Sequence, residues 1–245
     1  MAKAIISPLL KRGEYNPQQV LGIVGRSSSI ASALNDLPQE VKVVSSKDSL
    51  SKEVWKAPIK ILAVKPQQLS KIKESVSSLQ SNDHFSKPLL ISVLAGITLK
   101  SLKKAFPRHT CVRAVPNTPS LVGQGLTGLA WPDDMTLDQK KVVRKIFEPI
   151  SEIYELEEQK LDSFLALTSS GPAYIALVVE AMADGAVAAG LPRHLSNQLA
   201  HKTLSGTASL IREKRLHPAE LKDMVASPAG TTISALRHLE LAGLR

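Results

Sequence analysis

Two hydrophobic periods share this chain, and they change over at one point. Up to residue 156, short apolar runs of strand length alternate with stretches of helical spacing. The runs Gln19 to Gly25, Val41 to Val44, Ile59 to Val64, Pro88 to Val93, Cys111 to Val115 and Ile153 to Leu156 predict strands, bounded by Gly, Pro, Ser or charge. Helical spacing predicts helices over 2–12, Gln67 to Leu79, Thr98 to Ala105 and Leu137 to Phe147, and the Gly-rich passage Leu121 to Ala130 reads as hairpin-like. Strands alternating with helices predict an α/β layer with a mostly parallel sheet. From Leu161 onward every apolar period is helical. A domain boundary is therefore expected near Glu158, giving an α/β domain over 1–158 and an all-α domain over 159–245.

In the helical part the stretch from His217 to Glu240 stands out. Pro218 suits the first position of a helix, where its missing N–H would have no partner anyway. A helix over Ala219 to Val225 is then broken by Ala226-Ser227-Pro228-Ala229-Gly230. Thr231 and Thr232 stand where a second helix needs N-caps, and Ile233, Leu236 and Leu239 give that helix an apolar stripe. The plain expectation is two capped helices joined by a turn. A sharper one is an anion site, because a helix N-terminus offers free N–H groups and a favourable dipole to a carboxylate or phosphate. Thr168-Ser169-Ser170-Gly171-Pro172-Ala173 resembles this elbow in composition. After it, Tyr174 to Gly190 is apolar or small on nearly every face, which predicts core plus a subunit interface. Glu180 and Asp184 share a face there and read as a solvated stripe.

Composition narrows the class. The chain has 245 residues, 43% of them hydrophobic, enough for one large domain or two smaller ones. No uninterrupted apolar run reaches the roughly 20 residues that span a bilayer, and the N-terminus is a poor signal peptide, so no membrane partner is expected. A single cysteine, Cys111, excludes an internal disulfide framework and suits a reducing compartment, with the cytosol as the expected location. The six His show no ligand spacing, so no metal is expected. The net charge of +9 is spread along the chain without interleaved aromatics, which argues against nucleic acid and for attraction of small anions.

Ligands of an open parallel sheet lie across the carboxyl ends of its strands. Three predicted strands end in suggestive residues expected on the same edge of one sheet: Arg26-Ser27, then Ala63-Val64-Lys65-Pro66, then Asn117-Thr118-Pro119. An Arg with serine hydroxyls after the second strand of a dinucleotide fold suits the 2′-phosphate of NADP. Each is also explained as a surface loop or turn. The G-x-G-x-x-G fingerprint that should accompany them is not in the chain. Met1 to Ile5 already reads as helix, so that strand and loop would lie upstream of residue 1.

Together these residues resemble pyrroline-5-carboxylate reductase. Pro218 through Glu240 matches the family pattern P-x2-L-x3-V-[AS]-S-P-x-G-x-T-x2-A-L-x2-L-E, and Ala63 to Pro66, Ala95-Gly96-Ile97-Thr98, Asn117 to Pro119, Ser170 to Tyr174 and Ala183 to Gly185 match further motifs in order. The resemblance implies a Rossmann-like dinucleotide-binding domain, here without its first strand, followed by an all-α dimerisation domain. It implies a homo-oligomer, either a dimer or an assembly of dimers. It implies hydride transfer from NADPH, with NADH as the second possibility, to the C=N carbon of 1-pyrroline-5-carboxylate, giving proline. Thr232 would then hydrogen-bond the ring nitrogen, and Ser227, Gly230 and the amides of Thr231 and Thr232 would receive the carboxylate. Asp223 and Glu158 match positions lining the substrate pocket. Met1, Arg26, Ser27, Ala63, Val64, Lys65, Pro66, Ala95 and Asn117 would follow the cofactor. Two other readings remain at this point: a related NADP-dependent imine or β-hydroxyacid reductase, and a shortened, inactive paralogue acting as an interaction module.

Overall fold

A computed structural model of the chain describes residues 1–35, 37–77 and 87–244. Contacts divide it into two compact units, Met1–Pro172 and Ala173–Arg245.

The first unit starts with helix α1 (Ala2–Lys11), followed by strand β1 (Leu21–Val24), short helix α2 (Ile30–Leu34) and β2 (Lys42–Ser45). Next come β3 (Ile59–Leu62), α3 (Leu69–Ser77), β4 (Leu89–Ser92), α4 (Leu99–Ala105), β5 (Thr110–Pro116), β6 (Gly125–Ala130), α5 (Leu137–Phe147), β7 (Ser151–Glu155) and α6 (Leu161–Thr168). Each expected strand is present within a residue or two. The expected end of α3, Ser78 and Leu79, lies outside the described residues.

The strands form two sheets rather than one. β1 and β2 pair in parallel, and a five-stranded sheet runs in the order β3-β4-β5-β6-β7. All its pairs are parallel except β5 with β6, where the chain turns back through a 3-10 turn at Thr118–Val122. Leu121 to Ala130, read as hairpin-like, supplies the end of the turn and β6, the second strand of a hairpin whose first strand is β5. The expectation that Arg26-Ser27 shares one sheet edge with Lys65 and Asn117 is corrected. β1 belongs to the smaller sheet, and among the described residues neither β1 nor β3 has a strand on its other side.

Alternation along β5 explains the layering, because successive side chains point to opposite faces. Val112 and Ala114 pack with Ile5 and Leu9 of α1 and with Val143, Ile146 and Phe147 of α5. On the other face Cys111 joins Leu102 and Phe106 at α4, and Val115 joins Leu161 of α6. Helices thus cover both faces, as a parallel sheet requires. Since α6 packs on β5 and β6, it belongs to the first unit.

The second unit is helical: most of α7 (Gly171–Ala188), then α8 (Arg193–Lys214), α9 (Pro218–Val225) and α10 (Thr231–Leu241). Its buried hydrophobic residues are Val179, Ala183 and Ala200. Tyr174 and Leu177 are exposed, at 63% and 67%. The apolar helix, expected to be part core and part subunit interface, is therefore largely bare in a single chain. Within Glu158–Ala188 an 18-residue window reaches a mean hydropathy of 1.4, so the stretch is long and apolar enough by length and composition to cross a membrane, although the helix breaks at Ser169-Ser170.

Candidate active site

Capping at α10 departs from the expectation. At the start of α9, before Pro218, His217 is the cap. The Ala219 N–H donates to its Nδ1 at 3.2 Å, and the His217 N–H donates to Glu220 Oε2 at 2.8 Å. At the second helix Gly230 is the N-cap, and Thr231 and Thr232 are the first two helical residues. Their expected role as caps is corrected. The cause lies in the turn, where Ala229 takes a left-handed φ of 55° and the Gly230 N–H donates to Ser227 O at 3.0 Å, so Gly230 takes the cap position and the helix begins at Thr231, earlier than a threonine cap would place it. No side chain caps α10 and no acidic residue occupies its first turn. Its N–H donors are left for an anion.

Gly230 leaves room for the Ser227 side chain in its present position. A Cβ there would lie 2.3 Å from Ser227 Oγ and 3.1 Å from Ser227 O. The bare residue lets the serine hydroxyl fold over the helix start. Thr232 is half-buried and lines a groove of about 590 Å³ between α8, α9 and α10, with Leu210, Leu221 and Leu236 in its walls. Lys202 and Lys222 also line it, so the groove is apolar with basic groups. Asp223 and Ser227 are exposed.

In the first unit Ala63 to Pro66, Ala95 and Asn117 follow the carboxyl ends of the parallel strands β3, β4 and β5, and the structure brings these together on one sheet edge. Arg26 and Ser27 follow β1 and are exposed, with Ser27–Ser29 in a 3-10 turn. Met1 is the N-cap of α1, which has neither a side-chain cap nor an acid in its first turn. Asn117 is buried and its side-chain amide is engaged within the protein: its Nδ2 donates to Thr168 O and the Leu126 N–H donates to its Oδ1, both at 2.9 Å. A Cβ at Gly25 or Gly96 would meet nothing within 4 Å, so a ligand can approach the backbone after β1 and β4. An exposed guanidinium, serine hydroxyls, a bare helix start and open glycines are a donor set that fits a dinucleotide phosphate.

Glu158, matched to the substrate pocket, is already engaged by protein groups. The Leu99 N–H donates to its Oε1 at 2.6 Å, and Arg113 Nη1 lies 3.4 Å from the same oxygen. Arg113 Nη2 reaches Asp162 at 2.7 Å. Sequence reading missed Arg113, because a lone Arg inside an apolar strand announces no partner when the partners lie more than forty residues away. Among the described residues no group of three or more His, Cys, Asp or Glu could hold a metal ion.

The chain is 39% identical to a pyrroline-5-carboxylate reductase of Synechocystis over 245 residues, covering 100% of this chain and 88% of that protein. It belongs to the pyrroline-5-carboxylate reductase family. A family model for pyrroline-5-carboxylate reductase dimerisation matches residues 158–245. A solved pyrroline-5-carboxylate reductase of Coxiella burnetii is similar at a TM-score of 0.81 and 30% identity, covering 100% of this chain and 88% of that one. The Plasmodium falciparum pyrroline carboxylate reductase, solved with NADP bound, gives a TM-score of 0.81 at 26% identity, covering 99% and 86%.

Proposed function

We propose that the protein reduces 1-pyrroline-5-carboxylate to proline, the last step of proline synthesis, using NADPH in preference to NADH. The observation that carries the reading is the N-terminus of α10, with Gly230 as N-cap, no side-chain cap, and Ser227 folded over it. A ring carboxylate is the anion such a terminus suits. In this reading the Thr231 and Thr232 amides and Ser227 hold the carboxylate, the Thr232 hydroxyl hydrogen-bonds the ring nitrogen, and Asp223 and Glu158 border the substrate. NADPH, when bound, supplies the hydride to the C=N carbon. Arg26 and Ser27 take the 2′-phosphate. Met1, Ala63 to Pro66, Ala95 and the Asn117 backbone line the cofactor's path. What the chain itself must do is orient the imine, exclude water and keep the ring nitrogen protonated as it becomes an amine, so positioning and a few hydrogen bonds suffice.

We further infer a homo-oligomer, a dimer or an assembly of dimers, in which a second copy covers the apolar face of α7. The exposure of Tyr174 and Leu177 in one chain and the dimerisation-model match over 158–245 support this. It also accounts for Glu158–Ala188 without a membrane. The functional division is proposed at Glu158, where that match begins, and the enzyme is assigned to the cytosol.

Incubating the protein with NADPH and pyrroline-5-carboxylate tests the activity. Proline is expected in step with NADPH consumed. Consumption with a β-hydroxyacid's oxo form but not with the cyclic imine would shift the assignment to the related reductases, and no turnover with either would favour a non-catalytic paralogue.

A further inference from the structure

The geometry points to Arg113 as a positioning residue of the reductase site, acting through Glu158 on the Ala95–Thr98 loop. This rests on the proposed function, which gives that loop to the cofactor and Glu158 to the substrate border. Arg113 sits inside β5, only 2% exposed, on the sheet face shared with Cys111 and Val115. That face is covered by α4 near Cys111 and by α6 near Val115, so the guanidinium lies between the two helices' clusters. A charge so buried needs partners. Asp162 alone, 2.7 Å from Nη2, would serve for neutralisation. The fork nevertheless also reaches Glu158, 3.4 Å from Nη1.

The oxygen of Glu158 nearest Arg113 also accepts the Leu99 N–H, at 2.6 Å. Leu99 opens α4, directly after the Ala95–Thr98 loop. One carboxylate oxygen thus ties the start of α4 to β5, and Arg113 fixes where that carboxylate stands. Its Nε is buried without a hydrogen-bond partner, so the fork is aimed by the two carboxylates alone. A lysine keeps the charge but presents a single point donor in place of a planar fork. It should not hold both carboxylates in the same geometry.

The test compares the parent with Arg113→Lys, Glu158→Gln and the double variant as full chains, with circular dichroism and Tm to verify folding. NADPH affinity is read from its fluorescence without substrate, then kcat and KM with pyrroline-5-carboxylate. Arg113→Lys should fold, bind NADPH more weakly and lose about tenfold in kcat, the scale expected for a small misplacement near the reacting atoms. Glu158→Gln should do likewise, and the double variant should be no worse than the poorer single one, because both changes break one linkage. Parent-like NADPH binding and kcat in Arg113→Lys, or multiplicative losses in the double variant, would overturn the proposal. Should Arg113→Lys fail to fold, Glu158→Gln decides, and parent-like NADPH binding there would overturn it. A parent inactive on the imine would refute the reductase reading, while NADPH binding would still report on the linkage.

Discussion

Ser227 Oγ stands 2.3 Å from where a Cβ on Gly230 would be. The glycine is therefore a space requirement of the neighbouring serine, not a demand of backbone conformation, since its φ is an ordinary −77°. Gly230→Ala should leave Tm within a few degrees, because a serine hydroxyl can rotate aside. It should raise KM for pyrroline-5-carboxylate by roughly tenfold, the scale of one displaced hydrogen bond to a charged group. Thermal melts and initial rates check both, and an unchanged KM would remove Ser227 from the carboxylate site.

Thr232, the second residue of α10, has its hydroxyl free of any capping duty. Thr232→Ala should lower kcat by about tenfold or more with little effect on folding, and Thr232→Ser should recover most of it. Steady-state kinetics with circular dichroism would reveal the split. Parent-like turnover in the alanine variant would exclude a hydrogen bond to the reacting ring.

Arg26 is exposed beside three serines. Arg26→Ala should weaken NADPH by about 2 kcal/mol, roughly 30-fold, and leave NADH nearly unchanged, since only NADPH carries the 2′-phosphate. Titration with both cofactors measures the ratio. Equal losses for the two would remove that role.

Leu177 is two-thirds exposed on α7 in a single chain. If a second copy covers that face, Leu177→Glu buries an unpaired charge and should convert the oligomer to monomers. Sedimentation velocity reads the mass directly, and an intact oligomer would shift the interface elsewhere.

Burial pushes the Cys111 thiol up to about 12, with the Lys103 charge opposing weakly. Thiolate is the reactive form, so Cys111 should resist thiol reagents at pH 8 in the folded protein and react once denaturant is added. The raised value also means that the folded state holds its proton longer than the unfolded chain. Stability from this group is full below the ordinary value of 9.0 and declines as the pH rises towards 12. Rapid labelling of the native protein at pH 8 would contradict this burial.

Much of the fold was legible because its signals are local. Strands β3, β4 and β5 are short, largely apolar runs ended by a breaker, such as Lys65-Pro66 after β3. Period alone could not divide the strands into two sheets, since pairing joins residues far apart in sequence. At the elbow the segment boundaries were readable, yet composition misassigned the caps. Thr is a common N-cap, but the left-handed Ala229 moves the cap to Gly230. His217 went unnoticed because His is an uncommon cap. Asn117 was found by its motif, while the burial that commits its amide to Thr168 and Leu126 is a tertiary fact. Arg113 belongs with it, since its meaning resides in Glu158 and Asp162.

The central claim is that hydride reaches the C=N carbon of a five-membered ring held by the α10 terminus. The most direct measurement uses NADPH deuterated at both C4 positions with unlabelled pyrroline-5-carboxylate, followed by mass spectrometry of the product. Proline carrying a single deuteron on the former imine carbon is the expected result. Unlabelled proline, or NADPH oxidised without proline, would contradict it.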